Sequence, residues 1–123
     1  MADILVVADT AWVVNDVRAA LSDGRTTIRE IADPRAVVEA VKEQTPAVVV
    51  VDLQIGSMGG MAVTRAVRDA FPLGTASAPP VILMLDRDAD AFLAGRSGAA
   101  AWVRKPFSSG ELRAAVERLV PAP

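Results

Sequence analysis

The chain contains no cysteine and no histidine, and those two absences together exclude disulfide frameworks, thiolate nucleophiles, Ser-His-Asp triads and His-ligated metal sites. Any chemistry must come from carboxylates, hydroxyls, Arg, Lys and the backbone. Lysine is scarce as well: only Lys42 and Lys105 stand beside eleven arginines. Basic residues are scattered singly in a chain of formal net charge −2, which leaves no electrostatic footprint for nucleic acid or a membrane surface. No apolar run approaches transmembrane length, and Met1-Ala2-Asp3-Ile4 lacks the basic and apolar regions of a secretory signal. A cytoplasmic protein with no nucleic-acid or membrane partner is expected.

What is present is a small, strongly apolar chain. Its 123 residues are 52% hydrophobic, which is consistent with one domain over residues 1–123 that buries about two thirds of its unfolded surface. The centre of the pattern is Val48-Val49-Val50-Val51-Asp52. Four consecutive β-branched apolar residues read as a strand buried on both faces, as in the middle of a parallel sheet. Asp52 closes the run and opens Leu53-Gln54-Ile55-Gly56-Ser57-Met58-Gly59-Gly60, a stretch rich in turn formers. A carboxylate at the carboxyl end of a buried parallel strand stands where open α/β sheets bind ligands; its bland alternative is a turn-starting aspartate.

The rest of the chain alternates strand and helix. Ile4-Leu5-Val6-Val7-Ala8 is a second buried run, ended by Asp9. Val13, Val17 and Leu21 follow at helical spacing, with Thr10 as the expected cap and Asp23-Gly24 as the stop. Thr26 to Ile31 is the most polar strand candidate and belongs at a sheet edge. Asp33-Pro34 starts a helix with Val37, Val38 and Val41 inward. Val63, Ala66, Val67, Ala70 and Phe71 mark a third helix, ended by Pro72, and a small-residue loop runs from Leu73 to Pro79. Val81 to Leu85 is an apolar strand ended by Asp86. Asp88 is placed as the cap of a short fourth helix carrying Phe92 and Leu93 on one side and stopping at Gly98. Ala99 to Arg104 forms a fifth strand, and Ser108 with Glu111 makes a capping box for a last helix through Leu112, Ala115, Val116 and Leu119, before Pro121 and Pro123.

Five strands alternating with five helices predict an α/β, flavodoxin-like (βα)5 doubly wound sandwich, with a parallel five-stranded sheet in order 2-1-3-4-5. Asp9, Asp52 and Lys105 each follow a strand's carboxyl end and are expected to converge, a set suited to a magnesium ion and a phosphoryl group. The loop after Asp52 lacks the Walker Lys-Ser/Thr and the G-x-G-x-x-G pattern, which argues against nucleotide binding. Gln54 stands where a haloacid-dehalogenase-like phosphatase would want its second acid, and Ala8-Asp9-Thr10-Ala11-Trp12 offers a flavin only one hydroxyl.

Three pieces in order carry a family resemblance: Ile4-Leu5-Val6-Val7 with Asp9, Val51-Asp52-Leu53 with its Gly/Met-rich loop, and Arg104-Lys105-Pro106-Phe107 before an amphipathic helix. Over its whole length the chain resembles the receiver domain of two-component response regulators. The resemblance implies a signalling module rather than an enzyme, in which Asp52 takes a phosphoryl group from a histidine kinase and Lys105 pairs with the phosphoryl oxygens. It further implies that Asp9, Asp52 and the Gln54 carbonyl hold Mg2+, and that the Lys105–Pro106 bond is cis.

Two positions depart from the family pattern. Receivers usually carry an acidic pair after the first strand, and its first member here is Ala8; losing such an outer-shell partner typically costs about 10–100-fold in metal affinity, so weak magnesium is expected. Receivers also end the fourth strand with a Ser or Thr, and residues 81–90 contain no hydroxyl. Two functions follow as expectations: an atypical receiver with impaired or altered phosphorylation at Asp52, or a phosphorylation-independent protein-interaction module on the same fold. Phe92, Arg96, Trp102 and Arg104 place aromatic and Arg anchors on the fourth helix and fifth strand. A homodimer or a signalling partner is therefore expected on the face of helix 4, strand 5 and helix 5.

Overall fold

The structure is a computed structural model that describes residues 2–56, 58–71 and 78–120. Its strands are β1 (Ala2–Val7), β2 (Thr26–Ile31), β3 (Val48–Asp52), β4 (Val81–Leu85) and β5 (Ala101–Arg104). All neighbours pair in parallel, in the order β2-β1-β3-β4-β5. The helices are α1 (Ala11–Leu21), α2 (Val37–Glu43), α3 (Gly60–Asp69), α4 (Ala91–Arg96) and α5 (Ser109–Leu119). The expected flavodoxin-like order is therefore the observed one.

Strand alternation splits the core into two layers. Ile4, Val6, Val48, Val50, Ile82, Met84 and Val103 face one way and pack with α1 and α5 through Val13, Val17, Leu112, Ala115 and Val116. Leu5, Val7, Val49, Val51, Val81, Leu83 and Leu85 face the other way, onto Val37 and Val41 of α2, Val63 and Val67 of α3 and Ala94 of α4. Every residue of β3 and β4 is buried, as expected of strands covered on both faces. No residue of β2 is fully buried, so the polar strand does lie at the edge. There Arg29 donates two hydrogen bonds to Asp3 on β1, at 3.1 and 3.0 Å, which tie the edge strand to its neighbour.

Several helix ends differ in detail from the sequence expectation. The Thr10 side chain makes no cap; its hydroxyl lies 3.5 Å from Asp9 Oδ1, and α1 ends at Leu21, followed by Ser22, whose N–H donates to Arg18 O. Asp33 does cap, accepting from the Arg35 N–H at 2.9 Å, but the turn it starts is a short 3-10 segment, Pro34–Ala36, that leads into α2. Val38 is only half-buried while Val37 and Val41 are fully so. Among the described residues no side chain caps the fourth helix; it is entered from a short 3-10 turn, Asp88–Asp90, in which Asp90 accepts from the backbone N–H and the guanidinium of Arg87 at 3.2 and 3.0 Å. Asp88 instead faces Arg104, 3.7 Å away. The Ser108–Glu111 capping box forms in both directions. Gly98 takes φ +96° just after Ser97, the left-handed turn that lets α4 stop. Ser57, Pro72, most of the loop after it, Pro121 and Pro123 lie outside the described residues.

Leu83 is fully buried in the middle of β4, whereas Leu93 on α4 is half exposed. Leu83→Ala should cost about 2–5 kcal/mol of unfolding free energy, against about 0.5 kcal/mol or less for Leu93→Ala. Denaturant midpoints of the two variants would check the contrast.

Candidate functional site

The site lies across the carboxyl ends of the strands. Alternation decides which residues meet there. Ala8 continues the face of Ile4 and Val6, Asp52 that of Val48 and Val50, Asp86 that of Ile82 and Met84, and Lys105 that of Ala101 and Val103. All four thus fall on the α1/α5 side, while Leu85 is buried in the opposite layer. The ladder still holds these residues in place: the Ala8 N–H donates to Ile31 O, the Leu53 N–H to Met84 O and the Lys105 N–H to Leu85 O, at 3.1, 3.0 and 2.7 Å.

Asp52 and Lys105 are brought together. Lys105 Nζ lies 2.5 Å from Asp52 Oδ1, with side-chain exposures of 6% and 1%. Removing two charges from water is costly, so the pair is sustained only by close geometry and by further donors. The Gln54 N–H supplies one of these, 3.0 Å from the same Oδ1. Asp86 Oδ1 lies 3.1 Å from Lys105 Nζ on the other side. The Lys105–Pro106 bond is cis, as expected.

Asp9 is exposed and is tied to the loop after β3, where the Gly56 N–H donates to its Oδ2 at 3.0 Å. Among the described residues it forms no ion pair with Lys105, so its link to Asp52 runs through that loop. Gln54 has an exposed side chain, and only its backbone is engaged with Asp52. Beside Ala8 and Asp9 an open cleft of about 290 Å³, lined also by Asn15 and Glu30, separates the start of α1 from the end of β2.

Two glycines build the loop that carries these groups. Gly56 has φ +45°, a conformation that favours glycine. Gly60, the first residue of α3, sits directly on the Asp52 backbone: a Cβ there would lie 2.6 Å from Asp52 O and 2.8 Å from Leu53 Cα. Its N–H donates to Leu53 O at 3.0 Å. Sequence reasoning took the glycines only as turn formers and missed this close approach, for which the Gly59-Gly60 pair before a helical pattern was the available signal.

The donor set fits magnesium in part. Mg2+ is a hard cation satisfied by one or two carboxylates with water and phosphate oxygens, and Asp9 and Asp52 supply that minimum. At Ala8 a buried methyl stands where a further acid would add charge. Among the described residues no three acidic side chains gather into one metal cluster.

The sequence and the fold are similar to those of known proteins. The model of the response regulator receiver domain matches residues 4–117, and the chain belongs to that family, the receiver domains of two-component signalling. The DNA-binding transcriptional regulator NtrC of Escherichia coli K12 is 28% identical over 117 residues, 89% of this chain and 24% of that protein. The chain thus spans about a quarter of the length of the curated relatives it matches. The receiver domain of NtrX from Brucella abortus superposes with a TM-score of 0.82 at 27% identity, covering 96% of this chain and 98% of that one. The chemotaxis response regulator CheY4 of Vibrio cholerae shares the fold, with a TM-score of 0.82 at 22% identity over 98% of this chain and 99% of its own. No helix among the described residues is long and apolar enough to cross a membrane.

Because the Gly60 backbone touches Asp52, Gly60→Ala should displace the start of α3 or the strand end, at a cost of about 1–3 kcal/mol. Thermal unfolding gives the cost. Amide NMR shifts should change at Asp52, Leu53 and Gln54 while α5 stays unperturbed.

Proposed function

We propose that this receiver domain is an atypical phosphoacceptor, phosphorylated at Asp52 with reduced efficiency. The observation that carries the reading is the buried contact of Lys105 Nζ with Asp52 Oδ1 at the carboxyl end of the central strand. Oδ1 is already held by Lys105 and the Gln54 N–H, so Oδ2 is the oxygen that would attack. An O–P bond forms as the N–P bond of a kinase phosphohistidine breaks, and the bonding pair leaves with the imidazole nitrogen. The Lys105 ammonium would offset the −1.5 to −2 charges, about, of the arriving group.

Asp9, Asp52 and the Gln54 carbonyl would hold Mg2+, whose chemistry is to neutralise phosphoryl charge. With Ala8 in place of an acid this set is weak, and the domain binds magnesium poorly. The switch is weakened too. A hydrogen bond to a charged group is worth about 1.5–3 kcal/mol, while reversing a two-state equilibrium from 1:99 to 99:1 needs about 5.5 kcal/mol. The end of β4 offers Leu85 and Asp86 in place of a hydroxyl.

The second reading, a phosphorylation-independent interaction module, is favoured by Asp86, which already occupies Lys105. On either reading the partner face is α4, β5 and α5, for a second copy of the chain or another signalling protein. Phe92 is 70% and Trp102 41% exposed there. The Arg96 guanidinium lies 5.8 Å from the Phe92 ring centre, an aromatic and Arg pairing typical of binding anchors. Scattered basic residues support protein partners for this cytoplasmic domain in preference to nucleic acid or membrane.

Wild type should label slowly with acetyl phosphate and magnesium, and Ala8→Asp should tighten magnesium about 10–100-fold and speed labelling. Intact-mass detection of the phosphoryl adduct, with Asp52→Asn as the blank, decides between the readings; no adduct even in Ala8→Asp leaves the interaction module. For the partner face, Trp102→Ala and Arg104→Glu should each lower the sedimented mass or abolish capture of the partner. Unchanged values in both would remove that face.

A further inference from the structure

The chain lacks an acid on the β1 side of Asp52 and has one on the β4 side. Asp52 and Asp86 are the two carboxylates at Lys105, while Asp9 is tied to the Gly56 N–H. Lys105 is buried, and two carboxylates approach its ammonium at 2.5 and 3.1 Å. An ammonium has three N–H donors; one is given to Asp52 as a hydrogen bond, and Asp86 holds the charge as an ion-pair partner on the other side before any ligand arrives. Asp86 is the more accessible partner, with 37% of its side chain exposed against 1% for Asp52. It is therefore the one that can be displaced.

We propose that Asp86 is a positioning residue that holds the Lys105 ammonium and withholds it from an anion arriving at Asp52. The proposal rests on the phosphoacceptor reading above and adds to it a second cause of slow phosphorylation, separate from the missing acid at Ala8. An incoming phosphoryl group must take Lys105 from Asp86 and must do so beside the Asp86 charge, which repels it. The metal side is affected by Ala8 and the lysine side by Asp86, since β1 and β4 flank β3 on opposite sides.

The scarcity of lysine makes a direct test possible. Protein labelled with 15N at lysine Nζ carries only two ammonium signals, Lys105 and the exposed Lys42 on α2. In Asp86→Asn the Lys105 signal should move and exchange faster with water while Lys42 stays fixed. At saturating magnesium, where metal affinity no longer limits, acetyl phosphate should label Asp52 about tenfold faster in Asp86→Asn and Asp86→Ala than in wild type, the size of one partly exposed charge-assisted bond. An unmoved Lys105 signal overturns the proposal, and so does labelling that is unchanged or slower in both variants. Equal labelling of wild type and variants removes the role of Asp86 alone. A moved signal with no adduct in any of the proteins removes the phosphoacceptor reading, and the withholding role with it.

Discussion

The buried Lys105–Asp52 pair is the contact around which the strand ends are arranged. Asp52 ends β3 and Lys105 directly follows β5, with β4 between them, and two strand spacings amount to about 10 Å. A long flexible stem must pass over the end of the intervening strand to close that gap. Lysine suits this better than arginine in a chain that otherwise prefers arginine, because its compact ammonium can turn three donors toward carboxylates on different strands. The stem crosses β4 where Met84 gives way to Asp86, which explains why Asp86 becomes its second partner. A carboxylate this deeply buried would be untenable alone. The lysine and the Gln54 N–H on Oδ1 are what make it permissible.

Much of this arrangement was legible beforehand because it depends on pattern rather than contact. The valine run ending in Asp52, the polar Thr26–Ile31 strand and the Ser108–Glu111 box each carry their placement in residue type and spacing, and the strand order followed from the polar edge. What was not legible depended on choices between near-equivalent groups. Asp88 reads as a helix cap, but the helix is entered through a 3-10 turn in which Arg87 offers two donors to Asp90. Thr10 could have capped α1, but its hydroxyl lies toward Asp9. Gly60 reads as one more turn glycine until the helix it starts is seen against the Asp52 backbone. At the candidate site, the meeting of Asp52 with Lys105 followed from topology, whereas the attachment of Asp9 to Gly56 needed the loop's path.

The charge arrangement links fold to signalling. A receiver site must accept a doubly charged group at a buried carboxylate, and it can do so only if positive charge is free to meet it. Here the cation count is low on both flanks of Asp52. On one flank Ala8 offers a buried methyl, and on the other Lys105 is engaged by Asp86. Meanwhile the face of α4 and β5 keeps large exposed aromatics, with the Trp102 ring lying over Gly95, where a Cβ would stand 3.5 Å from it. On the proposed reading, the strand ends offer an arriving phosphoryl group little free positive charge, and the exposed aromatics of α4 and β5 are the face left for a partner.

Register gives these acids a second use. Val81 to Leu85 are all buried, on both faces of the sheet, so burial alone would not resist a slide of β4 by one residue. Such a slide turns every side chain to the opposite layer. It would turn the Asp86 carboxylate toward the apolar layer of Val51, Val63 and Ala94 and put Leu85 or Arg87 beside the Lys105 ammonium. β3 has the same property, being apolar on both sides until Asp52. The charges at the strand ends therefore act as registration marks for strands whose own composition is blind to which face is which.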